Sequence, residues 1–342
     1  MADIASIFVP ILVIMAISLA FSIGANDETL SVLVGAAVLK FKIALIIGGV
    51  AIGCGMIFFS GGYVAKTVGA DILGEGIQYT TFMLLIVLIS SILWLIVGSF
   101  AGIPLSSTHS LVGSVVGVVI VYTIFQGSIN LETAFNWDKL GNVLLSWVIS
   151  PLSGLIITFI FFKLIVKFYL YRLKGLNQIE KSEKYFKWIL FLVVIFAEIW
   201  VGANSGEALG ILYGLLANNS LNTQQYFFFS VICGIFAFLG IYLAARYVIK
   251  NLASQMISSR PSEGIILQLS SSIILMIATL FGLPISHSHV VVFCILGLNI
   301  AQKKEIDYKS LGKMAVYWLL TFPIAAILSG LLYYGINYIG LI

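Results

Sequence analysis

The stretch Ser22-Ile-Gly-Ala-Asn-Asp-Glu-Thr29 sets Asn26, Asp27 and Glu28 side by side inside a long apolar run. Ionisable groups are costly in hydrocarbon, so in such a run they are read as functional by default. A second copy, Val201-Gly-Ala-Asn-Ser-Gly-Glu207, again lies in an apolar run, with Gly202 standing 178 positions after Gly24. In each copy a glycine precedes the polar group and is expected to relax the backbone there. Both copies therefore predict a helix broken inside the membrane.

Composition supports that setting. Of 342 residues, 61% are hydrophobic and 9% charged, and the mean hydropathy is +1.11. Such a chain cannot keep a surface in water, and apolar runs long enough to span a bilayer recur from end to end. They fall at about 7–38, 42–65, 79–100, 101–125 and 142–170, then at about 188–217, 225–249, 264–281, 282–301 and 314–339. The first run lacks a basic leader and continues into the polar motif, so it reads as a spanning helix rather than a cleaved signal. Cys54, Cys233 and Cys294 all lie in apolar segments, which argues against a disulfide framework or a cysteine metal site.

The net charge of +4 comes from basic residues scattered beside the apolar segments, so it reports topology rather than a nucleic-acid partner. With the N-terminus outside and five crossings per half, all 18 Lys and Arg except Lys66 and Lys139 fall on the inner side. Both termini are then outside a cell membrane. The polar stretch 172–187 becomes a cytoplasmic connector, where Gly175 and Asn177 are expected to interrupt any helix.

The connector divides two similar halves, 1–171 and 188–342. Beyond the opening motif, Cys54-Gly55 matches Cys233-Gly234, and Val64-Ala-Lys-Thr-Val68 resembles Ala244-Ala-Arg-Tyr-Val248. Gly102-Ile-Pro-Leu-Ser-Ser-Thr-His109 matches Gly282-Leu-Pro-Ile-Ser-His-Ser-His289. These matches keep one order and one slowly drifting offset. An odd number of crossings per half turns the second copy upside down, an arrangement common in secondary transporters. The expected fold is an all-α polytopic membrane protein of two inverted repeats, about five segments each, with broken helices and re-entrant hairpins.

A broken helix frees carbonyls at the end of its first half and N–H groups at the start of its second. Asp27 is placed to cap the second half-helix, and Ser205 to do the same in the other copy. In the hairpin motifs a proline precedes hydroxyl-rich stretches, with Ser106 and Ser286 as N-caps. The following N–H groups, with Ser107, Thr108 and Ser288, suit a tetrahedral oxyanion. All three histidines, His109, His287 and His289, fall in these motifs, where they can donate to the anion, relay protons or brace the hairpins. Asp27, Glu28, Glu198 and Glu207 add four acids with no base near mid-membrane. Acids around an anion make sense only with cations or protons to neutralise them. A hydrolytic reading of Ser107, His109 and Asp27, or a zinc site at His287 and His289, lacks the surrounding pattern such sites need, so no enzyme activity is expected.

Two Gly-Ala-Asn-Asp-type motifs, each followed about 80 residues later by Pro-x-Ser-x-(Thr/Ser)-His, resemble the inorganic phosphate transporter (PiT) family. The resemblance covers the whole chain. It implies a phosphate symporter driven by Na⁺ in many members and by H⁺ in others, with no cofactor. The chain departs from the family pattern at Glu28, Ser205, Glu207 and His287, so a sulfate or other oxyanion permease is the alternative. Expected phosphate contacts are Asn26, Asp27, Ser106, Ser107, Thr108, Asn204, Ser205, Ser286, His287 and Ser288. Expected Na⁺ ligands are Asn26, Asp27, Glu28, Asn204 and Glu207, with His109, Glu198 and His289 in support. The expected partners are phosphate, Na⁺ and the bilayer; a homo-oligomer is left open.

Overall fold

Backbone polar groups in hydrocarbon must be paired within their own segment, which leaves helices as the element these isolated runs form. The computed structural model describes residues 2–100, 105–127, 130–246, 249, 260–306 and 308–339, and every regular element among them is helical. Gly102 and Pro104 of the first hairpin motif lie outside the described residues, as do Val248 and Lys250.

The first half runs α1 (Ala2–Ala25), α2 (Leu30–Gly35), α3 (Phe41–Phe58) and a short α4 (Tyr63–Lys66) that continues as a π-helical turn. Then come α5 (Thr81–Phe100), α6 (Ser107–Gln126), the single turn α7 (Leu131–Ala134) and the long α8 (Trp137–Phe168). The second half runs α9 (Leu176–Asn204), α10 (Gly206–Ala217), α11 (Thr223–Leu243), α12 (Pro261–Leu280), α13 (His287–Gln302) and α14 (Tyr308–Tyr338). Among the described residues 8 helical spans are long and apolar enough to cross a membrane, and Thr81–Val97 and His287–Gln302 are shorter apolar helices. Together they account for the apolar segments read from the sequence. Exposed side chains along α8, such as Leu145, Val148, Leu152 and Ile156, are apolar, as a lipid-facing surface requires.

The halves pack crosswise. α1 lies against α11 and α3 against α9, while α6 lies against α14 and α8 against α13. Exchanging the halves exchanges one member of each pair for the other. The motif glycines serve this packing and not the break. A Cβ on Gly24 would lie 2.0 Å from the Ala237 carbonyl oxygen, and one on Gly202 would lie 2.1 Å from that of Ile52. Both glycines are helical, and they let neighbouring backbones approach closely, as small residues do in membrane helices. The expectation that they relax the chain is corrected on that ground.

The connector is also more regular than expected. Gly175, at φ 88°, makes the turn, and α9 then runs unbroken from Leu176 through Asn177. Polar residues facing water do not stop a helix whose backbone bonds are intact, and Glu180 and Lys184 form an i,i+4 pair at 3.9 Å. Glu183 accepts from the Ser262 amide at 3.0 Å and its hydroxyl at 2.7 Å, which ties this extension to the start of α12.

Candidate functional site

Asn26 to Thr29 separate α1 from α2, whereas only Ser205 separates α9 from α10. At the first break Asp27 Oδ1 accepts from the Thr29 amide at 2.9 Å and the Thr29 hydroxyl at 2.7 Å, supporting the start of α2. Asn26 donates back to the Ser22 carbonyl at 2.9 Å and so stays on its own helix. At the second break Ser205 does not cap α10. Its hydroxyl donates to the Val201 carbonyl at 2.7 Å, a back-bond that a carboxylate, having no proton, cannot make. Asn204 leaves its helix altogether. It donates to Thr279 Oγ1 at 2.9 Å and the Leu283 carbonyl at 3.1 Å, and accepts from the Ile285 amide at 3.1 Å. Those bonds fasten α9 to the second hairpin.

The hairpins differ as well. Ser106 caps α6 by accepting from the His109 amide at 3.3 Å. Ser286 holds the equivalent position before α13 but makes no side-chain cap bond. The first N–H groups of α13 therefore stay open to a ligand.

Breaks and hairpins meet around a cavity of about 630 Å³. The first half lines it with Asn26, Asp27, Glu28, Ser106, Ser107 and Thr108, and the second with Asn204, Ser205, Glu207, Ser286, His287 and Ser288. Every residue expected to touch phosphate or Na⁺ is thus brought together, from stretches far apart in the chain. Among the described residues, no lysine or arginine is on the wall. Ser288 comes within hydrogen-bond reach of Glu28, and His287 faces Asp27. The Ser107 and Thr108 hydroxyls both donate to Glu207 Oε1, each at 2.7 Å. Glu207, expected among the cation ligands, lines the cavity and is also held against the first hairpin.

The three supporting candidates stand behind the wall. His109 stacks on Trp147 at 3.9 Å, His289 stacks on Trp318 at 3.9 Å, and the two imidazoles meet edge to face at 4.7 Å. They brace the hairpins against each other and against α8 and α14. Trp147 Nε1 also donates to the Pro284 carbonyl at 2.8 Å. Glu198 is 0% exposed and lies within hydrogen-bond reach of Asp27; among the described residues no other donor reaches either of its oxygens or Asp27 Oδ2.

Sequence reasoning missed some of the wall. Ser18 and Ser22 line it together with Asn26, at every fourth position of α1. That polar stripe on one helix face was legible. Thr29, Thr279, Trp147 and Trp318 carried no local signal, since each matters only through a partner brought to it by folding. The cavity reaches along α1 from Asn26 back to Met15 and along α5 at Ile92, Leu95 and Ile96. On the other side it is lined by Val201 and Asn204 of α9 and Leu275 of α12, and these two helices pack closely along each other where α5 touches α1 only sparsely.

Across 98% of its length the chain is 26% identical to a Bacillus subtilis (strain 168) protein named "Probable low-affinity inorganic phosphate transporter", 99% of which is covered. A Rhizobium meliloti (strain 1021) protein of the same name is 26% identical over 81% of this chain and 80% of its own. The chain shares its fold with a solved structure described as "The sodium-dependent phosphate transporter", at a TM-score of 0.81 and 23% identity, over 97% of this chain and 99% of that one. Residues 23–329, which contain both breaks and both hairpins, match the phosphate transporter family, and the chain belongs to that family.

Proposed function

We propose that this protein imports inorganic phosphate across the cell membrane by symport with Na⁺, using alternating access between two inverted repeats. The cavity carries the reading: three carboxylates, Asp27, Glu28 and Glu207, line it beside open helix N–H groups, with no basic side chain among the described residues. An anion enters such a site only with cations that offset the acids. The names of the Bacillus and Rhizobium relatives support phosphate, and the description of the structural neighbour supports Na⁺.

In this reading Asp27 and Glu28, with Asn26, hold the cation. Phosphate lies between the start of α13, with His287 and Ser288, and the wall of Ser106, Ser107, Thr108 and Glu207. Asn204 and Ser205 shape the site through their bonds to the second hairpin and to α9. The crosswise helix pairs support the inverted repeat, and the bias of basic residues supports external termini. With that orientation α1 and α5 both descend from outside, so the gap between them is the external entrance. The close contact of α9 with α12 is the internal gate.

The test is uptake of labelled phosphate into proteoliposomes, with Na⁺ and pH gradients imposed separately. Uptake that follows the Na⁺ gradient is expected. Uptake that follows only the pH gradient transfers the coupling to H⁺, and uptake indifferent to both overturns symport.

A further inference from the structure

Both hydrogen bonds to Glu207 go to one oxygen: Oε1 accepts from Ser107 and Thr108 at 2.7 Å. The other oxygen takes no hydrogen bond from the described residues, although Glu207 is only 7% exposed and lines the cavity. A hydroxyl has a single proton to donate. With those protons engaged by Glu207, the Ser107 and Thr108 side chains turn lone pairs toward a ligand. The three side chains together offer two hydroxyl oxygens and one carboxylate oxygen, all acceptors. The sequence suggested hydroxyl donors here, and the cross-half contact with Glu207 reverses their sense.

This wall distinguishes between tetrahedral anions. A fully deprotonated one brings only acceptors, and would set lone pairs against lone pairs in a dry site. An anion that keeps a hydroxyl brings a donor, and a hydrogen bond to a carboxylate is among the stronger ones available. The remaining oxygens of that anion have the open N–H groups at the start of α13 and the His287 ring, whose Nε2 is buried without a partner among the described residues.

We propose that Glu207 selects for an anion hydroxyl: the site accepts phosphate and arsenate, which carry one near neutral pH, and turns away sulfate and selenate, which carry none. The inference rests on the transport reading above and narrows its substrate class. A site built to hydrogen-bond a substrate hydroxyl rejects the analogue lacking it by roughly 10⁴-fold or more. Glu207 acts here as a specificity residue in contact with the anion.

The experiment measures competition for labelled phosphate uptake by the full-length protein in liposomes, using unlabelled arsenate, selenate and sulfate. In the wild type arsenate is expected to compete at concentrations near those of phosphate, with sulfate and selenate at least about 100-fold weaker. Glu207→Gln keeps an acceptor oxygen for the Ser107 and Thr108 protons and places an N–H donor where the second carboxylate oxygen stood. It is expected to narrow the sulfate-to-arsenate ratio by about tenfold or more. Glu207→Ala, which removes the acceptor and adds nothing, is expected to move the ratio the same way. Each ratio is taken within one variant, so weakened transport does not obscure it. A variant too slow for uptake is read by the protection each anion gives against thermal unfolding in detergent. Sulfate competing as well as arsenate in the wild type would overturn the proposal, as would a ratio unchanged in both variants, which would leave Glu207 a brace for the hairpin. Absence of phosphate uptake and of phosphate protection in the wild type removes the transport reading itself, a different failure.

Discussion

Asn26 and Asn204 hold the same place in the two copies of one motif, and they make opposite contacts. Asn204 is buried and bonded to Thr279, Leu283 and Ile285, so its broken helix is fastened to its hairpin. Among the described residues, Asn26 is exposed to the cavity and bonds to Ser22, on its own helix. Helix packing follows the same division: α12 lies along α9, while α5 stands off from α1 and the cavity fills the gap. Two segments with nearly the same sequence thus pack their helices to different degrees. In the proposed inverted pair, exchanging which half packs closely exchanges which side of the membrane reaches the site.

The largest test of this asymmetry is charge. Asp27→Asn is expected to lower cation-driven phosphate uptake by at least roughly 100-fold in a protein that still folds, because Asp27 is one of the two first-half carboxylates proposed to hold the cation. Ser205→Ala, at the equivalent position, should stay within about threefold, since that hydroxyl only bonds back to Val201. Undiminished uptake by the Asp27 variant would remove it from the mechanism.

The Asn204 fastening comes next. Asn204→Ala leaves the Ile285 amide and the Leu283 carbonyl short of a partner, and should cost about 2–4 kcal/mol in detergent unfolding. Asn26→Ala should cost less than about 1 kcal/mol, since it gives up only a bond to its own helix. Equal losses would mean that the two asparagines do the same job.

Entrance and gate can be compared by thiol labelling in a background without the native cysteines. Ser18→Cys, between α1 and α5, should react with a water-soluble reagent on the order of tenfold faster than Leu275→Cys on α12. Phosphate with Na⁺ should slow the first. Equal rates would argue that both gaps are open.

The smallest expected difference lies where the halves are nearly alike. His109 on Trp147 and His289 on Trp318 are matching stacks, each at 3.9 Å. Trp147→Phe should destabilise by about 1 kcal/mol, because it gives up the Nε1 bond to the Pro284 carbonyl, which joins α8 to the second hairpin. An unchanged melting temperature would make that bond negligible.

Much of this was written in the chain. Apolar runs can only be helices in hydrocarbon, so the spans and the all-α class followed from composition and length. A duplicated motif of Asn and acid in such a run marked both breaks, and Ser106 to Thr108 and Ser286 to Ser288 marked the hairpin starts, because polar groups there need a reason. That is why all the residues expected at the anion and cation sites do line one cavity. What the residues could not disclose was direction. Whether the Ser107 proton points at an anion or at Glu207, and whether Gly24 relaxes its own helix or admits the carbonyl of Ala237, depends on a neighbour from the other half of the chain. The bonds that fasten Asn204 to the second hairpin are likewise invisible locally, since they run to Thr279, Leu283 and Ile285, far along the chain. Sequence by itself determined which groups are too polar to lie in lipid. Tertiary structure alone decided which of them satisfy one another, because a hydrogen bond or a close helix contact is a property of two positions in space and not of either one in the chain.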